Sequence, residues 1–324
     1  VKKKFPILDL RLPVDPASVR ASFFQIANRK SQIANGFTLI EVMVVMALLS
    51  LIVIALMGVF NTTQAAFRAS VTQTDVLEGG RAAMDLISGD LRAMSPSGGV
   101  SNSTPAYLNN GQIPVNFYVS VNNASAPLVQ SLIASGSTRT NVVESFFLLS
   151  RNNQTLTGVG YYVDTASTSG INPLYRFSMS TNVSAVNGAA RLYYNFQNTP
   201  LTNSPPWSHL LDGVVGFRLR AYDPNGIWLT NGFVGVTNTL SNASFFHSTL
   251  GKTLGEAEFY MFSNALPASV EIEMATLEDR TLQRAETWPN GSPAQLNYLA
   301  GQAGKLHVFR QRVTIPNVDP AAYQ

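Results

Sequence analysis

Hydrophobic and polar positions divide the chain into four zones. Residues 42–60 form a run of nineteen without a charge, interrupted only by Ser50 and Gly58. As a helix rising about 1.5 Å per residue, that run nearly crosses a hydrocarbon layer of roughly 30 Å. No charged residue lies between Glu41 and Arg68, so the uncharged stretch is longer still. Behind it the pattern changes. Leu77, Met84, Ile87, Leu91 and Met94 recur at spacings of three, four or seven and share one helical face. Arg81 and Asp85 stand four apart on the other side, as a helical charge pair would. Gly79-Gly80 weakens this helix by about 1 kcal/mol per glycine relative to alanine, and marks either a kink or a point of close packing. Ser95-Pro96-Ser97-Gly98-Gly99 stops it. The expectation is one helix over residues 37–94, about 87 Å long. Its first third is apolar all round and the rest is amphipathic, so it must leave a membrane and dock on a domain.

From about residue 100 the pattern is β-rich. Candidate strands are 115–121, 142–149, 158–163, 174–179, 191–196, 214–222, 227–230, 269–276 and 306–315, with partial alternation in 214–222 and 270–274. Asp223-Pro224-Asn225-Gly226 reads as a hairpin turn. A calcium loop is the alternative there, with Asp223 and Asn225 supplying far less than a full oxygen shell. Segments 122–127 and 199–206 are polar and proline-bearing, as surface loops are. The fold class that follows is α+β, with a long N-terminal helix packed on an antiparallel β-rich head. The expected divisions are a basic leader at 1–36, a transmembrane helix half at 37–62, an amphipathic half at 63–95 and the head at 96–324, with Asn/Ser/Thr-rich insertions around 100–140 and 230–260.

Composition and charge change this picture in three places. Charged residues make up only 13% of the chain, and polarity comes from Asn, Ser and Thr, which suits an exported surface. There are no cysteines, which excludes disulfides and thiolate metal sites. The net charge of +3 is unevenly spread: residues 1–36 carry +5 and the remainder −2. The high pI therefore belongs to the N-terminal segment. No basic stripe with interleaved aromatics marks the body, so a nucleic-acid partner is not favoured. The asymmetry predicts a cytoplasmic N-terminus, since positive charge stays on that side of a membrane segment.

Gly36-Phe37-Thr38-Leu39-Ile40-Glu41 stands immediately before the apolar run, with Arg29-Lys30 upstream. The string resembles the processing site of type IV prepilins. The resemblance implies cleavage after Gly36 by a prepilin peptidase, methylation of the new N-terminus at Phe37, and Glu41 as the fifth mature residue. A carboxylate at the edge of a membrane helix is costly unless paired. In the family the corresponding glutamate attracts the free amine of a neighbouring subunit and sets the axial register; the alternative is that Glu41 lies in the headgroup zone. An ordinary secretory signal has an apolar region of about 7–15 residues, shorter than this one, and a plain anchor leaves the motif unexplained. A leader of 36 residues is long for the family, and residues 28–36 alone would serve as one.

Beyond the N-terminus the chain is similar to the J class of minor pseudopilins of type II secretion. The similarity rests on Asp90-Leu91-Arg92 after a hydrophobic helix segment and on Gly160-Tyr161-Tyr162-Val163 followed by Leu174-Tyr175-Arg176. It continues in Leu210-Leu211-Asp212-Gly213-Val214, Trp228, Leu266-Pro267-Ala268-Ser269-Val270 and a closing strand around 307–316. The head is larger than usual for that class, as in long pilin-like proteins from multi-gene cassettes of Verrucomicrobia-type bacteria. The resemblance implies a single-pass inner-membrane protein with a periplasmic head that enters a short filament near its tip. Its expected partners are prepilin peptidase, other pilin or pseudopilin subunits, the inner-membrane assembly platform and membrane lipid. Val44, Met46, Leu48, Leu49, Ile52 and Leu56 are the expected helix-packing surface, and contact lipid before assembly.

Enzyme chemistry finds little foothold. The three histidines, His209, His247 and His307, lack zinc spacing, and no phosphate-binding glycine loop or nucleophile elbow is present. No cofactor, metal or catalytic residue is expected. The rival function is an adhesive or DNA-uptake pilin whose head contacts a surface ligand. Tyr107, Phe117, Phe245 and Phe246 are its candidate glycan-binding aromatics, with burial in the core as the alternative.

Overall fold

A computed structural model describes residues 37–98, 114–121, 128–131, 137–166, 171–202, 204–229, 245–248 and 258–323. The expected 1–36 leader, Tyr107, the 122–127 segment and much of both expected insertions lie outside the described residues. The chain divides into two compact units, residues 1–62 and 63–324. Helix α1 (Leu39–Arg92) contributes to both. In the first unit it is apolar on every side and exposed on every side.

In the second unit α1 becomes a core element. Met84, Ile87, Leu91 and Met94 are buried as the spacing predicts, with Ala83 beside them, while Leu77 at the start of that face is only half-buried and Arg81 and Asp85 stay exposed opposite. Gly80 is the close packing point: a Cβ there would overlap the Phe309 ring. The helix closes at Arg92, and Met94 already bridges to Ser150.

Strands β1 (Val115–Val121), β2 (Leu128–Ser131), β3 (Thr138–Asn141), β4 (Glu144–Asn152), β5 (Thr155–Val163) and β6 (Leu174–Asn182) come first. Then follow α2 (Gly188–Asn198), β7 (Trp207–Leu211), β8 (Val214–Tyr222), β9 (Phe245–Ser248), β10 (Glu258–Phe262) and β11 (Ser269–Leu277). The chain ends with α3 (Asp279–Ala285), α4 (Pro293–Ala300) and β12 (Leu306–Thr314). A seven-stranded sheet has the order β7-β6-β5-β4-β1-β10-β9, a three-stranded one β12-β11-β8, and β2-β3 form a hairpin. All named pairings are antiparallel, as expected for an α+β head.

One face of the large sheet packs with α1 and the inner face of the small sheet, through Phe117, Phe146, Leu148, Tyr161, Phe217, Ile272 and Met274. Phe117, a glycan-binding candidate, is thus core. The sheets meet where Val143 bridges Phe217 and the carboxylate of Glu144, 2% exposed, accepts the Leu219 N–H. Asn116, fully buried, accepts from Ser97 N–H and donates to the carbonyls of Ser263 and Ala265, tying the helix exit to the sheet.

Two expected strands are corrected. Residues 191–196 are helical: within α2, Leu192, Tyr193 and Phe196 pack on the sheet's second face against Tyr118, Phe147 and Phe177. Gly160 on β5 makes room, since a Cβ there would overlap Phe196. The aromatic run resembles a strand by propensity, but Ala189, Leu192, Tyr193 and Phe196 follow the helical period, and tertiary packing selects it. Residues 227–230 do not form a strand over their described part: after the tight Asp223–Gly226 turn only Trp228 pairs, with Tyr222. Asp223 spends its Oδ1 on the Ile227 N–H, at 2.6 Å, holding that turn. Strands β2, β3, β7, β9 and β10 and helices α3 and α4 were not expected; most are short, and none has a long periodic pattern.

Candidate functional site

The N-terminal motif builds its own helix start. Thr38 is the cap and Glu41 the third helical residue. The Thr38 N–H and hydroxyl donate to Glu41 Oε2 at 2.9 and 3.0 Å, and the Glu41 N–H points to Thr38 Oγ1 at 3.4 Å. This is a reciprocal capping box: each residue satisfies an amide that the first helical turn leaves without a partner. The Thr-x-x-Glu spacing is the sequence signature of this cap, which gives Glu41 a local role besides the one that its charge and the prepilin resemblance imply. Glu41 Oε1 receives no hydrogen bond among the described residues. Phe37 precedes the cap and is 83% exposed. Gly36 lies outside the described residues.

Residues Leu39–Arg68 form a helical stretch long and apolar enough to cross a membrane, with mean hydropathy 3.0 and none of the window buried. Two of its hydroxyls are satisfied within the helix. Ser50 Oγ donates to the Ala47 carbonyl at 2.8 Å, and Thr62 Oγ1 to the Val59 and Gly58 carbonyls. In hydrocarbon, where water cannot serve them, that is required. Val44, Met46, Leu48, Leu49, Ile52 and Leu56 are all exposed. Val44, Leu48, Ile52 and Leu56 step by four along one slowly turning stripe with Leu49 beside it. Met46, about 160° around the helix from Leu48, lies on another side.

Further along α1 the structure brings together three residues that stand in separate strings of the sequence. Asp90 on α1 receives both nitrogens of a bidentate Arg176 guanidinium from β6, at 2.8 and 3.0 Å, and the Tyr161 hydroxyl from β5 at 2.5 Å. Tyr161 is fully buried and stacks on Phe146 at 4.9 Å between ring centroids. Burial, then the Asp90 carboxylate, raise the Tyr161 phenol well above its ordinary value. The bond to Asp90 raises the Arg176 guanidinium, against its partial burial. Arg92, from the same triplet, is exposed and stays outside this cluster. The arrangement holds helix to sheet. It presents no free base or nucleophile, because all three polar groups face one another.

His209 pairs with Asp212 at 2.9 Å on an exposed edge and packs edge-on to Tyr175. His307 lies in β12, and His247 in β9, where its side chain is outside the described set. No group of three or more His, Asp or Glu that could hold a metal ion occurs among the described residues.

No curated protein and no solved structure matches the chain. Residues 33–57 match the family model of the prokaryotic N-terminal methylation motif, so the exposed apolar helix and its capping box coincide with a prepilin-type processing signal.

Proposed function

We propose that the chain is a pilin-like minor pseudopilin subunit. Prepilin peptidase cuts between Gly36 and Phe37, the new amine is methylated, and the subunit joins a type II secretion pseudopilus or a type IV pilus-like filament near its tip. The observation that carries this reading is the coincidence of the 33–57 motif with a helix whose apolar surface has no partner within the described chain. Such a surface needs lipid before assembly and other helices afterwards. In this reading residues 1–36 are the leader, 37–62 the membrane half, 63–95 the docking half and 96–324 a periplasmic head, with the N-terminus cytoplasmic. Val44, Leu48, Leu49, Ile52 and Leu56 pack against neighbouring subunits, and Met46 meets another of them. Glu41 has one carboxylate oxygen in its own cap and offers the other to the amine of a neighbour. The assembly platform and other pilins are its partners, and its role is structural.

A second reading, an adhesive head, is favoured by a cavity of about 310 Å³ lined by Tyr162, Trp207, Gln197, Asn198 and Ser145, with no charged side chain in its wall. Aromatic faces beside amides and hydroxyls suit a neutral sugar.

The deciding experiment is mass spectrometry of the N-terminus from a host membrane fraction. A mature chain starting at Phe37 with one added methyl group is expected, and Gly36→Ala should leave the precursor uncut. A different or intact N-terminus, or normal processing of the glycine variant, overturns the proposal.

A further inference from the structure

Arg68 is the first charge that α1 carries after Glu41, six residues beyond the proposed membrane half, so it falls on the headgroup side of the hydrocarbon rather than within it. Around that residue the second unit forms an open cavity of about 890 Å³, with Arg68 and Ala65 on one side and α3, α4 and the turn between α4 and β12 on the other. Four cations line it, Arg68, Arg280, Arg284 and Lys305, against two carboxylates, Glu278 and Asp279. This is a positive site in a chain whose residues beyond 36 carry −2. The carboxylates are partly engaged: Lys305 Nζ lies 3.5 Å from Glu278, and Gln283 donates to Asp279 at 2.9 Å. Arg280 makes no hydrogen bond or ion pair among the described residues, and Arg284 sits 5.7 Å above the Tyr298 ring, which orients its guanidinium without neutralising it.

We infer that this cavity is a binding site for the headgroup of an anionic phospholipid, with Arg280 and Arg284 taking the phosphate. The inference rests on the membrane reading above. Guanidinium groups match phosphate oxygens in pairs. Asp279, with one carboxylate oxygen taken by Gln283, offers the other to a hydroxyl of a glycerol headgroup, and the cavity is far larger than a bare phosphate fills. Position selects lipid over an acidic peptide, because Arg68 is the first charge after the proposed membrane half, on the side where headgroups lie. The contact holds the head against the membrane until assembly extracts the subunit.

The test uses the full chain in nanodiscs of mixed phosphatidylglycerol and phosphatidylcholine, with lipid retained on release read by native mass spectrometry and membrane insertion read separately by flotation. Wild type should retain phosphatidylglycerol in preference. Arg280→Ala with Arg284→Ala should lower that preference by about fivefold per cation removed, and the double lysine variant should restore most of it, which separates charge from misfolding. Insertion without enrichment, or an unchanged alanine double variant, overturns this site alone. Millimolar inorganic phosphate that binds while phosphatidylglycerol is not enriched makes it a free-anion site and overturns the lipid assignment. Failure to float overturns the membrane reading and this site with it.

Discussion

Asp90→Ala tests whether helix and sheet are joined by the charge cluster or by apolar packing alone. The substitution removes the acceptor of three hydrogen bonds, two from Arg176 and one from Tyr161. It leaves a guanidinium whose side chain is 22% exposed and a phenol with no access to water. Breaking a fully buried pair costs about 3–5 kcal/mol. Residual exposure at the ion pair, 22% for Arg176 and 16% for Asp90, lets water screen and partly solvate the orphaned guanidinium, so about 2–4 kcal/mol is expected here. Arg176→Ala should cost about 2–3 kcal/mol, because Asp90 keeps the tyrosine hydroxyl. If the two residues act as one bond, the double variant costs about 1.5–2.5 kcal/mol less than the single losses added together. The assay is urea unfolding of the full chain in detergent, followed by tryptophan fluorescence. All three tryptophans, Trp207, Trp228 and Trp288, lie in the second unit, so the signal reports on it. Losses that add to within about 0.5 kcal/mol would refute the coupling and leave the ion pair incidental to docking.

Three further outcomes are expected. Tyr161 has a raised folded-state value, so its contribution is complete below the ordinary phenol value near 10 and is lost as pH rises beyond it. Wild type should therefore weaken more steeply above about pH 10 than Tyr161→Phe, and parallel curves would count against the burial argument. Gly80→Ala should destabilise by about 1–2 kcal/mol despite the gain in helix propensity, because the new methyl meets Phe309. Gly89→Ala, with open space around it, should stabilise by about 0.5–1 kcal/mol in the same unfolding assay, and two changes of equal sign would refute the packing account. Finally, Glu41→Gln keeps an acceptor for the Thr38 amide but removes the charge, whereas Glu41→Ala removes both. Both variants should insert and be processed. Co-purification with the filament should fall for both, and normal incorporation of the glutamine variant would leave Glu41 as a helix cap only.

How much of this was legible in the sequence follows from the range over which each signal acts. The two halves of α1 are written in long runs of local pattern, and Met84, Ile87, Leu91 and Met94 are buried as their spacing demands. The matched strands are those, such as β8 and β11, with enough residues to show alternation. Where a segment is short and aromatic, propensity and period conflict, and α2 shows which prevails: the stripe that can close on Gly160. Strands as short as β2 and β9 carry no pattern of their own and exist because a neighbour supplies the hydrogen bonds. The same reasoning explains the buried polar groups. Asn116 and Glu144 satisfy backbone atoms more than seventy residues away, and nothing local announces that. Asp90, Tyr161 and Arg176 are intermediate. Each stood in a recognisable string, but only the fold shows that the strings are one contact. It also supplies the reason for the strings. A helix that must function both in lipid and docked on a sheet cannot rely on apolar burial to tell the two apart, because its membrane half is equally apolar. A bidentate ion pair at Asp90 can be satisfied in only one register along the helix. It therefore fixes the register in which the sheet grips the last turns of α1, beyond the apolar stretch that has no partner within the described chain.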